Sequence, residues 1–189
     1  RLLRGITHDI VGLTGIFDES YDGVLMVGFH DAASCPRKSH VPHDGSSRIF
    51  RLTVNGALWG EFEMYAHAAA YRGFYPFASG DEGMCAAAAR TVPGLLTVPT
   101  KSGHGYGVLT KTPELVREEI EGMMAEAVAA AKTATPPALP EHFHVEVTYD
   151  IIMTPMDAPT SRRQLISPTT VAFDAEDYGD VLRFFYFVI

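Results

Sequence analysis

Three histidines and one glutamate carry most of the chemistry this sequence can offer. His30 directly follows the apolar run from Val24 to Phe29, His40 and His43 lie in the polar stretch after it, and Glu61 follows Gly60 where a helical pattern begins. Imidazole nitrogen and carboxylate oxygen are ligands that zinc takes, and a catalytic zinc site keeps one position open for a water whose pKa it lowers to about 7. His30, Glu61 and one of His40 or His43 would supply such a ligand set, although their spacing matches no short zinc motif. Each group has a plainer reading as well. His30 reads equally as a capping histidine bonded to backbone, Glu61 as a carboxylate favoured by the dipole at a helix N-terminus, and the loop histidines as solvated side chains. His43 also suits general acid–base work, because an unperturbed imidazole titrates near pH 6.5. Cys35 raises a thiol nucleophile, but Pro36, Arg37 and Lys38 set it in an exposed turn where the sequence offers no obvious orienting group.

Strands and helices in alternation must hold these groups. The continuous apolar run Val24 to Phe29 predicts a central strand buried on both faces, which would leave His30 at the carboxyl edge of a helix-covered parallel sheet. The polar stretch from Asp31 to Ser47 is long for a plain connector and reads as a functional loop. Arg48 to Val54 alternates as a strand, Asn55-Gly56 is a strong hairpin signal, and Gly60 to Arg72 has helical spacing that stops at Gly73. Tyr75 to Ser79 and Gly94 to Pro99 predict short strands with an alanine-rich helix between them. Lys101 to Gly107 reads as a glycine-rich loop only loosely like an anion cradle, since GxxxxGKS is absent. Thr112 before Pro113 marks the N-terminus of a long helix running to about Lys132.

A short helix is expected around Asp9 to Phe17, a proline-rich linker from Thr133 to Pro140, and a half-exposed strand from His142 to Tyr149. Met153 to Ser167 reads as irregular, Thr169 to Phe173 as a strand, and Asp174 as the cap of a closing helix. His67, His142 and His144 read as structural. The expected fold class is α/β, with a mainly parallel sheet layer flanked by helices over residues 1–138 and a smaller α+β portion over residues 139–189.

Composition narrows the partners. The 189 residues carry a formal net charge of -8 and no dense basic run, which argues against nucleic acid. No apolar stretch approaches the roughly 18 residues of a membrane span. Two cysteines without a CxxC pattern make no disulfide framework and point to a reducing, cytoplasmic setting. The chain starts at Arg1 and stops at Ile189 inside an apolar run, as a piece of something longer would.

The order of features resembles one known family. Gly28-Phe29-His30, His43-Asp44-Gly45-Ser46-Ser47-Arg48-Ile49, Val54-Asn55-Gly56 and Gly60-Glu61 are similar to segments of the zinc D-aminopeptidases. So are Gly80-Asp81-Glu82, the helix start Thr112-Pro113-Glu114, and Thr170-Val171-Ala172-Phe173 with its closing helix. The resemblance implies a hydrolase that removes an N-terminal residue, typically a D-amino acid, from short peptides at a two-zinc centre. It also implies a ring-like homo-oligomer. Matched motif by motif, His30 and Glu61 fall on metal ligands. His43 falls on the catalytic histidine, because the interval from it to Asn55 matches without a gap, and His40 is the competing choice.

The family's other ligands belong to an Asp-x-Glu-Gly strand and an Asn-Asp-x-His motif, which would lie before residue 1. Tyr65 stands where the family has asparagine. Glu63 and Asp81 are candidates to receive the substrate's free amine. A metal-free relative serving as a binding or structural subunit is the alternative expectation.

Overall fold

Asn55 and Gly56 both take positive φ, 51° and 78°, the geometry of a type I′ turn whose twist matches the strands it joins. Their hairpin is β2 (Ile49–Val54) with β3 (Ala57–Trp59), and it leads straight into α1 (Glu61–Tyr71). The computed structural model describes residues 21–35, 42–45, 48–105, 107–152 and 163–189. The helix expected around Asp9 to Phe17 and the competing histidine His40 lie outside the described residues.

The remaining elements are β1 (Gly23–Phe29), β4 (Tyr75–Asp81), α2 (Glu82–Thr91), β5 (Thr97–His104), β6 (Gly107–Thr110), α3 (Pro113–Ala131), β7 (Phe143–Tyr149), β8 (Arg163–Ser167), β9 (Thr170–Ala175) and α4 (Tyr178–Val188). They form two sheets, ordered β1-β4-β5-β6 and β3-β2-β7-β9-β8. In the first, β1, β4 and β5 run parallel and β6 returns antiparallel. The second is antiparallel throughout. The fold is thus mixed α/β, and residue 138 falls between strands that share the antiparallel sheet.

Two cores result, and α1 enters both. Met64 and Ala68 pack with Leu52, Val145, Phe173 and Phe185 under the antiparallel sheet. Phe62 and Ala66 pack with Met26, Ala78 and Met84 against the parallel one. A helix wedged between two sheets cannot shift its first turn without disturbing both cores, so Glu61 at that turn is held from two sides. Tyr178 of α4 is fully buried, and its hydroxyl donates to the Met64 carbonyl at 2.7 Å, tying α4 to α1.

Several expectations need correcting. Only Met26 of β1 is buried, Val27 is exposed, and among the described residues β1 is an edge strand rather than a central one. The run from Lys101 to Gly107 is no anion-cradling loop: Lys101 pairs with Thr110 and His104 with Gly107 in an antiparallel hairpin. Within the stretch read as irregular, residues 163–167 form β8, paired with β9. Asp174 lies in β9 opposite His144, and the cap of α4 is Asp177.

Candidate metal centre

The bond that ends β1 sets the site. Gly28 at φ 78° breaks the register between Met26 and Phe29, and Phe29 then pairs with Gly80 of β4. A Cβ on Gly80 would fall 1.9 Å from the Phe29 carbonyl oxygen, so only glycine admits this approach. The bulge hands His30 to the carboxyl end of the sheet, where the start of α1 presents Glu61.

There three sequence-predicted groups meet. His30, His43 and Glu61 each offer a ligand atom within 4.8 Å of the others, the group among the described residues able to hold a metal ion in this way. His30 Nε2 lies 3.5 Å from Glu61 Oε2, and His43 Nε2 lies 3.9 Å from Glu61 Oε1. The two imidazoles stack with centroids 3.8 Å apart and planes 20° apart. Such N···O gaps are too long for strong hydrogen bonds. They approach the roughly 3.4 Å that separates two ligands of one tetrahedral zinc bound at about 2.0–2.1 Å. The nitrogen and carboxylate donor set suits zinc as well, so these residues fit that ion.

The geometry of His30 is compatible with both of its readings at once. Its Nδ1 lies 3.0 Å from the Asp31 carbonyl oxygen, a backbone bond of the kind a capping histidine makes, while Nε2 faces Glu61. The Glu61 carboxylate raises the His30 pKa above its ordinary value, outweighing burial. Burial works to raise Glu61 in turn, but His30 and the Gly45 N–H, which donates to Oε1 at 2.7 Å, hold it below the ordinary carboxylate range.

A cavity of about 260 Å³ opens beside the cluster, lined by His30, Asp31, Cys35, Leu58, Met84 and Arg90 among others. Cys35 is half-buried on its wall, with its N–H on the Ala32 carbonyl at 3.2 Å. Of the two residues considered for the substrate amine, Glu63 is buried and accepts from the Gly60 N–H at 2.9 Å and the Thr91 hydroxyl at 3.3 Å. Asp81, also buried, pairs with Lys101.

Asp44 was not singled out in the sequence. It is fully buried, accepts from the Ala33 N–H at 3.1 Å, and burial pushes its pKa up to about 7. By fastening residue 44 to the turn after β1, it fixes the backbone beside His43. An aspartate among glycine and serine reads as solvated, and the one local signal for it is its place in the segment after His43 that resembles the family.

A protein-family model described as D-aminopeptidase matches residues 1–187. Among curated proteins no match was found. A solved structure of a Zn-dependent D-aminopeptidase, DppA from Bacillus subtilis, a self-compartmentalizing protease, superposes with a TM-score of 0.84 at 18% identity over 96% of this chain and 68% of that one.

Proposed function

The chain belongs to the D-aminopeptidase family, and on that premise we propose that it is a zinc-dependent aminopeptidase releasing N-terminal residues, D-configured ones above all, from short peptides. The observation that carries this reading is the meeting of His30, His43 and Glu61 at one point, each within 4.8 Å of the others. His30 and Glu61 are the zinc ligands, and a two-ion centre calls for more ligands than these. Bound zinc supplies Lewis acidity toward the peptide carbonyl and a nucleophilic water at neutral pH.

His43 is the proton carrier. It is 42% exposed against 17% for His30, so it is the imidazole a substrate meets first. It accepts the proton released as water adds to the carbonyl and delivers it to the departing amine. Stacking on His30 and proximity to Glu61 limit the ring's rotation, which keeps the proton transfer aimed. The adjoining cavity receives the N-terminal residue of the peptide. The similarity to a self-compartmentalizing protease supports self-association, in which copies of the chain are each other's partners.

The test separates ligand from catalyst. Purified protein should contain zinc and cleave D-alanyl-D-alanine. His43→Ala should keep the zinc and lose about 10²–10⁴-fold in kcat, whereas His30→Ala should lose zinc. Protein that takes up no zinc and turns over no peptide overturns the enzyme reading and leaves a binding subunit. Loss of zinc in His43→Ala overturns the role given to His43.

A further inference from the structure

Three short contacts run from the far side of the parallel sheet to the His30 ring. Lys101 Nζ lies 3.0 Å from Asp81 Oδ1, Asp81 Oδ2 accepts from the Asp31 N–H at 3.2 Å, and the Asp31 carbonyl lies 3.0 Å from His30 Nδ1. A carbonyl oxygen only accepts, so Nδ1 carries the hydrogen. In the neutral ring Nε2 then keeps its lone pair, on the side where Glu61 lies 3.5 Å away.

We propose that Asp81 and Lys101 are positioning residues for His30: by holding the Asp31 N–H they brace the backbone of Asp31, whose carbonyl, in the next peptide unit, selects the ring's tautomer and orients Nε2 toward the candidate metal position. The inference rests on the reading of His30 as a ligand given above.

Register makes the brace possible. Phe29 pairs with Gly80 and Asp81 with Lys101, so the ends of three parallel strands bring the groups into one line. Asp81 is only 1% exposed, and burying a carboxylate there is tolerable when a cation and a backbone donor compensate it. Lys101 is one-third exposed and can keep part of its hydration. Histidines that bind metal commonly donate their other N–H to an oxygen that fixes the ring, and loss of such outer partners costs about 10–100-fold in metal affinity.

The experiment compares Asp81→Ala, Asp81→Asn and Lys101→Met with wild type by two measurements. Zinc affinity is read by competition with a chromophoric chelator, and the His30 tautomer by ¹⁵N NMR of the metal-free protein at a pH where the ring is neutral. Asp81→Ala should bind zinc about 10–100-fold more weakly and show a mixture of ring tautomers. Asp81→Asn, whose amide oxygen can still accept from the Asp31 N–H, should retain the Nδ1–H form. Lys101→Met should move both readouts in the same direction as Asp81→Ala. Wild-type affinity together with an unchanged tautomer in Asp81→Ala overturns the proposal. If that variant does not fold, wild-type values in Lys101→Met overturn it instead. A wild-type protein that binds no zinc would remove the ligand reading, while the tautomer comparison still decides whether the brace exists.

Discussion

Cys35 and Cys85 carry the same thiol into different surroundings. Cys85 is buried in α2, and desolvation pushes its pKa up to about 11, so almost no thiolate forms near neutral pH. Cys35 is half-buried on the cavity wall beside His30. Iodoacetamide should therefore label one thiol per native chain, and peptide mapping should place the label at Cys35. Because the label occupies the cavity, it should lower peptide turnover, whereas Cys35→Ser should keep turnover within about two-fold of wild type. A dead Cys35→Ser variant, together with wild-type turnover indifferent to chelators, would instead favour a thiol nucleophile.

The same cavity shows what residue types can and cannot disclose. The meeting of His30, His43 and Glu61 was legible because imidazole and carboxylate at element ends are donor types a metal takes. Asp44 and the pairing of Asp81 with Lys101 were not, because aspartate and lysine are ordinary on surfaces. Only the fold shows these carboxylates to be buried.

At the scale of elements, signals confined to neighbouring residues are legible in the sequence and signals that depend on distant partners are not. Asn55-Gly56, Gly73 after α1 and Thr112-Pro113 at α3 each act within a few residues, and the structure has a turn, a stop and a start at those places. An apolar run, by contrast, does not say which sheet position it will take. The run in β1 has a neighbour on one side among the described residues, and the polar-looking residues Lys101 to His104 extend β5 because β6 folds back on them. Asp174 could not be told from a helix cap until β7 was placed beside it.

The tie between α4 and α1 belongs to this scale. The Tyr178 hydroxyl, buried against the Met64 carbonyl, is one neutral hydrogen bond, and the ring keeps its neighbour Phe143 at 5.3 Å without it. Tyr178→Phe should cost about 1 kcal/mol, and for a chain of this size lower Tm by about 2–4 °C. Thermal melting followed by circular dichroism checks this. An unchanged Tm would mean that packing alone joins the helix to α1.

The response of the whole molecule to pH is a sum of opposed terms, and a single substitution can isolate one of them. His67 packs on Trp59 with ring centroids 4.2 Å apart and has its Nδ1 2.7 Å from the Glu63 carbonyl. Burial lowers its pKa below 6.5. The unfolded chain then binds the proton more readily than the folded one, so the stability associated with His67 is complete above about pH 6.5 and is lost as pH falls through the folded value.

His142 and His144 act oppositely. Glu176 chiefly raises the first and Asp174 the second, so their contribution is complete below about pH 6.5 and fades as pH rises through the raised values. These rings are 50% and 41% exposed, and solvent screening leaves such pairs little weight. Asp44, raised to about 7, also favours the folded state as pH falls. Comparing wild type with His67→Phe at each pH cancels the contributions the two proteins share. The stability of wild type relative to the variant should be constant from pH 8 to about 6.5 and decline from there toward pH 5, measured by urea unfolding. A difference that stays flat across that range would mean that the His67 ring accepts its proton as freely in the folded chain as in the unfolded one, and one that grows toward acid that it does so more freely.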